Sequence, residues 1–210
     1  KRFPDILWES CSGGGGRYDA GMLAYSQQVW CSDNTDPIAR LKIQFGTSLC
    51  YPASTMGAHV SACTRTGYGV KGDVALWGTF GYELDPLKLS ADVKELIKSQ
   101  TDEYRKYNRL IRNGDLYRIV YPAANKGYTA WAFVSPDKTE ALATTVFTEQ
   151  MNCESIFLKI KGLDEKRFYR EESTGEIYSG AYLKNAGFNM ASFIKENYTS
   201  IKLHFTATEK

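Results

Sequence analysis

Residues 4–37 read PDILWESCSGGGGRYDAGMLAYSQQVWCSDNTDP, and this stretch holds two short apolar runs that each end in a polar loop. The runs are Asp5 to Trp8 and Val29 to Trp30, and each loop leads into a segment of helical character. This alternation is typical of parallel strands that are joined by helices. Asp36 followed by Pro37 predicts the start of the second helix, because Asp caps a helix N-terminus and proline lacks the donor that would go unused there.

Asp33 lies in the loop directly after the second apolar run. In βα barrels the catalytic groups come from loops at the carboxyl ends of the strands, so this position makes Asp33 a candidate for chemistry. Aspartate is also common in such loops for turn formation alone. On position alone, a solvated loop aspartate is the favoured interpretation.

Three longer motifs follow one another in the first half of the chain. They are CSGGGGRYDAGML, then QVWCSDNTDPIARLKIQFGTSLCYPASTMGAHVSA, and then GTFGYELD at Gly78 to Asp85. In this order they resemble the α-galactosidases of glycoside hydrolase family 36. The resemblance covers nearly every motif from Phe3 to Leu89 and continues more loosely to the C-terminus. It implies a retaining α-galactosidase that removes terminal α-linked galactose from raffinose-type oligosaccharides.

The apolar pattern divides the chain into two domains. We interpret residues 1–114 as the C-terminal half of a (β/α)8 TIM barrel, whose last helix, Ser90 to Arg112, is the clearest in the sequence. Beyond Gly114 apolar and polar residues alternate between turn formers, and this predicts a small antiparallel β-sandwich at 115–210, a domain that the resemblance also implies. The strands predicted there are Leu116–Tyr121, Tyr128–Val134, Ala141–Phe147, Ile156–Ile160 and Ile201–Thr206.

The helix that begins at Pro37 is predicted to be amphipathic. Ile38, Leu41 and Phe45 recur at helical spacing, with polar residues such as Arg40 and Gln44 between them. Short buried segments are predicted after it, at Ser48–Tyr51, Gly57–Ser61, Asp73–Trp77 and Phe80–Leu84.

The composition limits the kinds of partner that we expect the protein to bind. A formal charge of +2 gives no field strong enough to recruit nucleic acid or a membrane surface, and no apolar run approaches the length of a membrane span. The five cysteines are odd in number and widely spaced, so they indicate neither a disulfide framework nor a CxxC metal pair. A reducing, cytoplasmic location is the simpler expectation. Since the chain begins without Met, we interpret it as a piece of a longer protein.

The resemblance assigns roles to individual residues. In family 36 the catalytic acid/base is the first Asp of the SD-[DN]-TD loop, which is Asp33 here. Cys11 and Gly14 match the Cys and the third following residue, a Gly, that contact the galactose ring. Retaining hydrolysis needs a second carboxyl group about 5 Å away, and the family nucleophile, an Asp in a KWD motif, has no match in this chain. Glu9 ends an apolar run, but the family gives it no catalytic role.

Several residues have a simpler interpretation beside the functional one. Cys11 is equally compatible with a small buried hydrophobe, the usual fate of a free cysteine. Four glycines before a helix favour anion binding, yet neither the GK[ST] ending nor the GxGxxG spacing of phosphate loops is present. His59, within MGAHVSA, is interpreted as a satisfied core histidine, and His204 is expected to be exposed on the polar side of its strand.

Other functions stay open at this stage. A relative that hydrolyses α-N-acetylgalactosaminides or transfers galactose is compatible with the motifs, and so is an inert structural or sugar-binding half of such an enzyme. The implied partners are an α-galactoside oligosaccharide and the N-terminal part of the same enzyme, with a homo-oligomer in the full-length protein; no metal or organic cofactor is needed. Residues 63–70 replace the longer PNHQ-type loop of the family, which puts its contacts on that side of the pocket in doubt.

Overall fold

The computed structural model describes residues 2–124, 126–150, 156–193 and 196–209. The chain divides into two compact units, Lys1–Tyr104 and Arg105–Lys210. In chain order the first unit contains β1 (Glu9–Ser10), α1 (Ala20–Leu23), β2 (Gln28–Trp30), α2 (Pro37–Thr47), β3 (Met56–Ser61), α3 (Tyr68–Ala75) and β4 (Thr79–Glu83). Helix α4 (Ala91–Asn113) then runs across the division between the units.

The first unit is built on a parallel sheet in which the strand order β1-β2-β3-β4 is also the chain order. Trp30 pairs with Gly57, and His59 pairs with Gly81. Because the strands are parallel, the loops that follow them begin at one edge of the sheet. The predicted alternation of parallel strands and helices is therefore present, and it brings the loops after β1, β2 and β3 to the same side.

Three predictions about short segments of this unit are wrong, and one of them is the burial of Phe80–Leu84, of which no residue is buried. Strand β1 consists of Glu9 and Ser10, whereas the apolar run before it is not a strand, and its Leu7 is 83% exposed. The segment Ser48–Tyr51 is a turn, not a buried segment, because its backbone N–H groups bond back to the last turn of α2. The segment Asp73–Trp77 is buried as predicted, but most of it belongs to helix α3.

Helix α2 begins as predicted and buries an unexpected side. The Asp36 carboxylate accepts hydrogen bonds from the backbone N–H groups of Ile38 (2.9 Å) and Ala39 (3.0 Å), and Pro37 takes the first helical position. Arg40 and Gln44 lie on the buried side of the helix. Gln44 donates to the carbonyl of Val74 at 3.0 Å, so a main-chain acceptor compensates the burial of its amide nitrogen.

Helix α4 confirms the clearest sequence prediction. It spans Ala91–Asn113, and the Ser90 hydroxyl accepts from the backbone N–H of Val93 at 3.4 Å. Within the first unit, Gln100 of this helix donates to the carbonyl of Tyr68 (2.7 Å) and accepts from the Tyr82 hydroxyl (3.0 Å). No helix of the described residues is long and apolar enough to cross a membrane.

The second unit is mainly antiparallel. Its described elements are β5 (Asp115–Val120), β6 (Tyr128–Val134), β7 (Glu140–Phe147), β8 (Phe157–Leu158), β9 (Phe168–Glu171), β10 (Ile177–Ser179), α5 (Gly180–Asn185), β11 (Phe188–Asn189) and β12 (Ser200–Thr208). Six strands form a sheet in the order β10-β9-β12-β7-β6-β5, while β8 and β11 form a separate two-stranded ribbon. Leu158 and Phe188 of the ribbon share a buried core with Phe205 of the large sheet. The last strand, β12, lies in the interior of the sheet between β7 and β9.

The strands at β5, β6, β7 and β12 confirm their predictions, and β6 matches Tyr128–Val134 at both ends. Strand β8 covers only Phe157–Leu158 of the predicted Ile156–Ile160. The turn former Asn125 and the cysteine Cys153 lie outside the described residues.

His204 is not exposed as predicted. Its side chain is 11% exposed, its Nε2 lies 2.8 Å from Oε1 of Glu140, and its ring centroid lies 5.0 Å from that of Tyr107. The prediction fails because the ring of Tyr107 and the carboxylate of Glu140 pack against the imidazole on that side of β12.

The turn between β6 and β7 holds the Asp137 carboxyl group, whose pKa is lowered. Hydrogen bonds from the hydroxyl of Ser135, and from the hydroxyl and backbone N–H of Thr139, lower the pKa of Asp137 from 3.8 to about 2. This carboxylate therefore favours the folded state above pH 3.8, and that contribution is lost as the pH falls towards 2. Replacing Thr139 by valine removes one donor, so the pKa of Asp137 should rise towards 3.8 in an NMR titration of the carboxyl carbon.

Thr139→Ser is the matched control, because it keeps the hydroxyl group and should leave the titration of Asp137 nearly unchanged. An identical titration in the valine variant would contradict the assignment of the low pKa to this hydrogen bond.

Candidate active site

The loop after β2 presents Asp33 to solvent on a fixed backbone. Asn34 N–H donates to the Ser32 hydroxyl and Asp36 N–H donates to the Asn34 side-chain oxygen, each at 3.1 Å. These local bonds fold the loop before α2 begins. Asp33 itself is exposed, and its Oδ1 accepts a hydrogen bond of 3.0 Å from the indole Nε1 of Trp30. The carboxyl group is thus held in one orientation at the carboxyl edge of the sheet.

The glycine loop after β1 packs directly against Asp33. Gly14 adopts φ +72°, a left-handed conformation, and a Cβ atom built on it would lie 2.6 Å from the Asp33 nitrogen and 3.2 Å from Asp33 Oδ2. Only glycine permits so close an approach. At Gly15 a Cβ atom would lie 2.6 Å from the carbonyl oxygen of Cys31. Two predicted site residues, Gly14 and Asp33, are therefore in contact.

Cys11 begins the same glycine loop. Its thiol is free and the residue is exposed, so the interpretation of a buried hydrophobe is wrong for this chain. Together with Glu9 and Arg17 it lines a cavity of about 640 Å³ beside β1. The Glu9 carboxylate accepts a hydrogen bond from the side chain of Gln28 on the neighbouring strand.

A buried cation supports the Asp33 loop, and the sequence did not reveal it. Arg40 is 2% exposed, and its Nη1 donates to Cys31 Sγ at 2.9 Å and to the carbonyl of Ser32 at 3.3 Å, while Nη2 donates to the carbonyl of Gly57. Burial lowers the pKa of Arg40, and the nearby Cys31 thiol opposes that shift. Burial raises the pKa of Cys31, and Arg40 opposes that shift in turn. Helical periodicity counts Arg40 as a polar position, so it could not indicate this burial.

Three side chains form a row across neighbouring strands below Asp33. The ring centroids of Trp30 on β2 and His59 on β3 lie 4.7 Å apart. His59 Nδ1 lies 2.9 Å from Oε1 of Glu83 on β4. His59 is satisfied as predicted, but its side chain is 23% exposed and is only partly within the core.

Tyr18 anchors the far end of the glycine loop. Its ring stacks on Tyr51 with centroids 4.5 Å apart, and its hydroxyl lies 2.7 Å from that of Thr55. Burial raises the pKa of Tyr18 to about 12, so the phenol stays neutral at pH 7. Sequence reasoning did not single out this residue.

The arrangement is suited to proton transfer by one carboxyl group. Asp33 has one oxygen bound by an indole N–H, while the other faces the backbone of the glycine loop. Over the part of the chain that the structure describes, no group of three or more His, Cys, Asp or Glu residues could hold a metal ion.

Comparison with known proteins finds relatives that match nearly the whole chain. The melibiase family matches residues 1–114, and the glycosyl hydrolase family 36 C-terminal domain matches residues 128–205. The bifunctional α-galactosidase/sucrose kinase AgaSK of Mediterraneibacter gnavus is 44% identical over 98% of this chain, and the α-galactosidase AgaA of Geobacillus stearothermophilus is 47% identical over 89%. The chain spans only 22% and 26% of the length of these two relatives.

Solved structures match over nearly the whole chain. The galactosidase domain of AgaSK has a TM-score of 0.94 at 44% identity, covering 99% of this chain and 30% of that one. A variant of G. stearothermophilus AgaA in complex with raffinose has a TM-score of 0.94 at 42% identity, covering 99% of this chain and 29% of that one. With the two family matches in sequence order along it, the chain belongs to glycoside hydrolase family 36.

Proposed function

We propose that this chain is the C-terminal part of a retaining α-galactosidase, in which Asp33 is the general acid/base. The observation that carries the proposal is the Asp33 carboxyl group, which is exposed, oriented by Trp30, and in contact with the glycine loop of a family 36 chain. Its neighbours in the site are backbone groups and aromatic rings, which are suited to a neutral sugar.

The reaction follows from two carboxyl groups with different roles. Protonated Asp33 gives its proton to the glycosidic oxygen while the bond from that oxygen to the anomeric carbon breaks, and the second carboxylate bonds to that carbon. Asp33, now ionised, then takes a proton from water, whose oxygen displaces the second carboxylate. Galactose leaves with its original anomeric configuration, and both carboxyl groups return to their starting states.

The second carboxylate is proposed to come from a part of the enzyme outside these 210 residues. Glu9 is not proposed for this role, since its carboxylate is engaged by Gln28 and the family gives it none. The sequential parallel order β1-β2-β3-β4 supports the interpretation of residues 1–114 as half of a (β/α)8 barrel. Residues 115–210 would form the β-sandwich domain, with the six-stranded sheet as its main layer.

Galactose binding is proposed for Cys11 and Gly14. Gly14 lies against Asp33, and Cys11, which is exposed and has a free thiol, begins the same glycine loop. Structures of AgaA variants hold raffinose and stachyose, and this supports α-galactosides of the same kind as substrates here. A homo-oligomer of the complete enzyme and a cytoplasmic location also stay proposals.

The test is to follow the complete enzyme on raffinose by proton NMR. We expect the α-anomer of galactose to appear first, with the β-anomer growing only later by mutarotation. The β-anomer appearing first would contradict retention, and no release of galactose would contradict the proposed activity. The 210-residue chain alone is the companion sample, and we expect no turnover from it because the second carboxylate is missing.

A further inference from the structure

We infer that Trp30, supported by the pair His59–Glu83, is a positioning device for Asp33 that reserves one carboxyl oxygen for proton transfer. The inference rests on the acid/base role proposed for Asp33. It starts from the 3.0 Å hydrogen bond that the indole Nε1 of Trp30 donates to Asp33 Oδ1. An indole N–H is a donor only, and the carbonyl oxygen of a carboxyl group accepts more strongly than its hydroxyl oxygen. The bond to Oδ1 therefore favours the transferable proton on Oδ2.

The other oxygen faces the reacting side. Oδ2 is the carboxyl oxygen that lies 3.2 Å from the position of a Cβ on Gly14, within the glycine loop proposed to contact galactose. Fixing Oδ1 thus directs Oδ2 towards the loop and removes rotation about the carboxyl group. A general acid that is held in one orientation avoids the loss of rate that even a 1 Å displacement causes.

Trp30 can hold Asp33 only if its own ring is held, and three contacts do this. Its Cε3 would lie 2.8 Å from a Cβ on Gly57, so the ring lies closely over that glycine. The guanidinium carbon of Arg40 lies 5.0 Å from the ring centroid, on a residue that is itself buried. The ring of His59 lies 4.7 Å from the indole on the neighbouring strand.

His59 is fixed in the same way. Its ring passes over Gly81, where a Cβ atom would lie 2.7 Å from the ring, and its Nδ1 bonds to Oε1 of Glu83 at 2.9 Å. Trp30, His59 and Glu83 sit on adjacent parallel strands, so the row is anchored in the sheet and not in the loops. Packing alone would explain a buried tryptophan, but the row also connects the sheet to the reacting carboxyl group.

The experiment compares Trp30→Phe with the parent in the complete enzyme, on raffinose and on an aryl α-galactoside with an acidic phenol. We expect kcat on raffinose to fall about 10- to 100-fold and kcat on the aryl galactoside to fall less than about threefold, because an acidic leaving group needs little protonation. The same substitution in an Asp33→Ala background should have almost no further effect on raffinose, since the two residues act as one unit. Equal losses on both substrates, or additive losses in the double variant, would overturn the inference.

His59 provides the second pair of variants, in case Trp30→Phe does not fold. His59→Leu removes the bond to Glu83 and should reproduce the selective loss on raffinose, whereas His59→Asn keeps a donor near Nδ1 and should restore most of the activity. Equal activity of the two variants would overturn the support assigned to His59. If Asp33→Ala itself shows no difference between the substrates, the proposed function fails, and this is a different outcome from a failure of the Trp30 variants alone.

Discussion

Replacing Asp33 by alanine in the complete enzyme should slow the hydrolysis of raffinose by about 1,000-fold while slowing an activated aryl α-galactoside far less. General acid catalysis contributes about 10² to 10⁴ in rate, and only a poor leaving group needs it. The exposed position of Asp33 means that the loss should arise in the chemical step and not in folding, since no core is disturbed. The measurements are kcat on both substrates and the melting temperature of the variant.

Asp36→Ala is the matched control, three residues further along the same loop. Its carboxylate caps α2 and pairs with Arg65 at 3.1 Å, so its loss should lower stability by about 1 kcal/mol. That variant should slow both substrates to a similar degree. If Asp33→Ala also gave equal losses on both, the acid/base role would have to be given up.

The second large effect is expected at Gly14, with Gly13 as an internal comparison. Both glycines have left-handed φ angles, +72° and +57°, so alanine at either costs about 1 kcal/mol of backbone strain. Only at Gly14 does the new Cβ meet anything, because it would lie 2.6 Å from the nitrogen of Asp33, whereas nothing lies within 4 Å at Gly13. Gly14→Ala must therefore displace the loop that carries the acid.

We expect Gly14→Ala to lose about 100-fold in kcat/KM on raffinose, and Gly13→Ala to lose no more than about threefold, although both lower the melting temperature. The difference between the two variants isolates the contact with Asp33 from the strain that they share. A similar loss of activity in both would mean that strain, not contact, governs the loop.

Local chemistry made helices α2 and α4 predictable. Asp36 and Pro37 mark the start of α2 by their own hydrogen-bonding properties, and α4 carries an uninterrupted helical period with Ser90 as its cap. Strands β9, β10 and β11 escaped prediction because two to four residues give no period; β9, for example, is Phe-Tyr-Arg-Glu. The apolar run ending at Trp8 misled for the opposite reason, since it has the composition of a strand without a partner strand.

The candidate site also has one part that the sequence predicts and another part that it does not. The position of Asp33 in the loop after a strand could be predicted, because an apolar run and then a polar loop follow one another in the sequence. The contact of Gly14 with Asp33 and the reach of Arg40 to the carbonyl of Gly57 join segments that are 17 or more residues apart. Nothing in the spacing of residues specifies such contacts, which depend on how neighbouring strands align. Arg40 was the harder case, since a buried guanidinium has the same sequence signature as an exposed one.

Because β12 lies in the interior of the six-stranded sheet, this sheet can be completed during protein synthesis only after β12 has been made. Strands β5, β6 and β7 can pair as soon as they are made, and β9 can pair with β10, but β12 supplies the strand pairing between the two groups, so the sheet is not continuous until Ser200–Thr208 exists. A ribosome that stalls before residue 200 would leave two sheet fragments with open edges, the kind of surface that recruits other unfinished chains. Completion of this sheet therefore depends on β12, which is translated after its five other strands, and a nonsense mutation shortly before Ser200 should yield an aggregating product instead of a shortened domain.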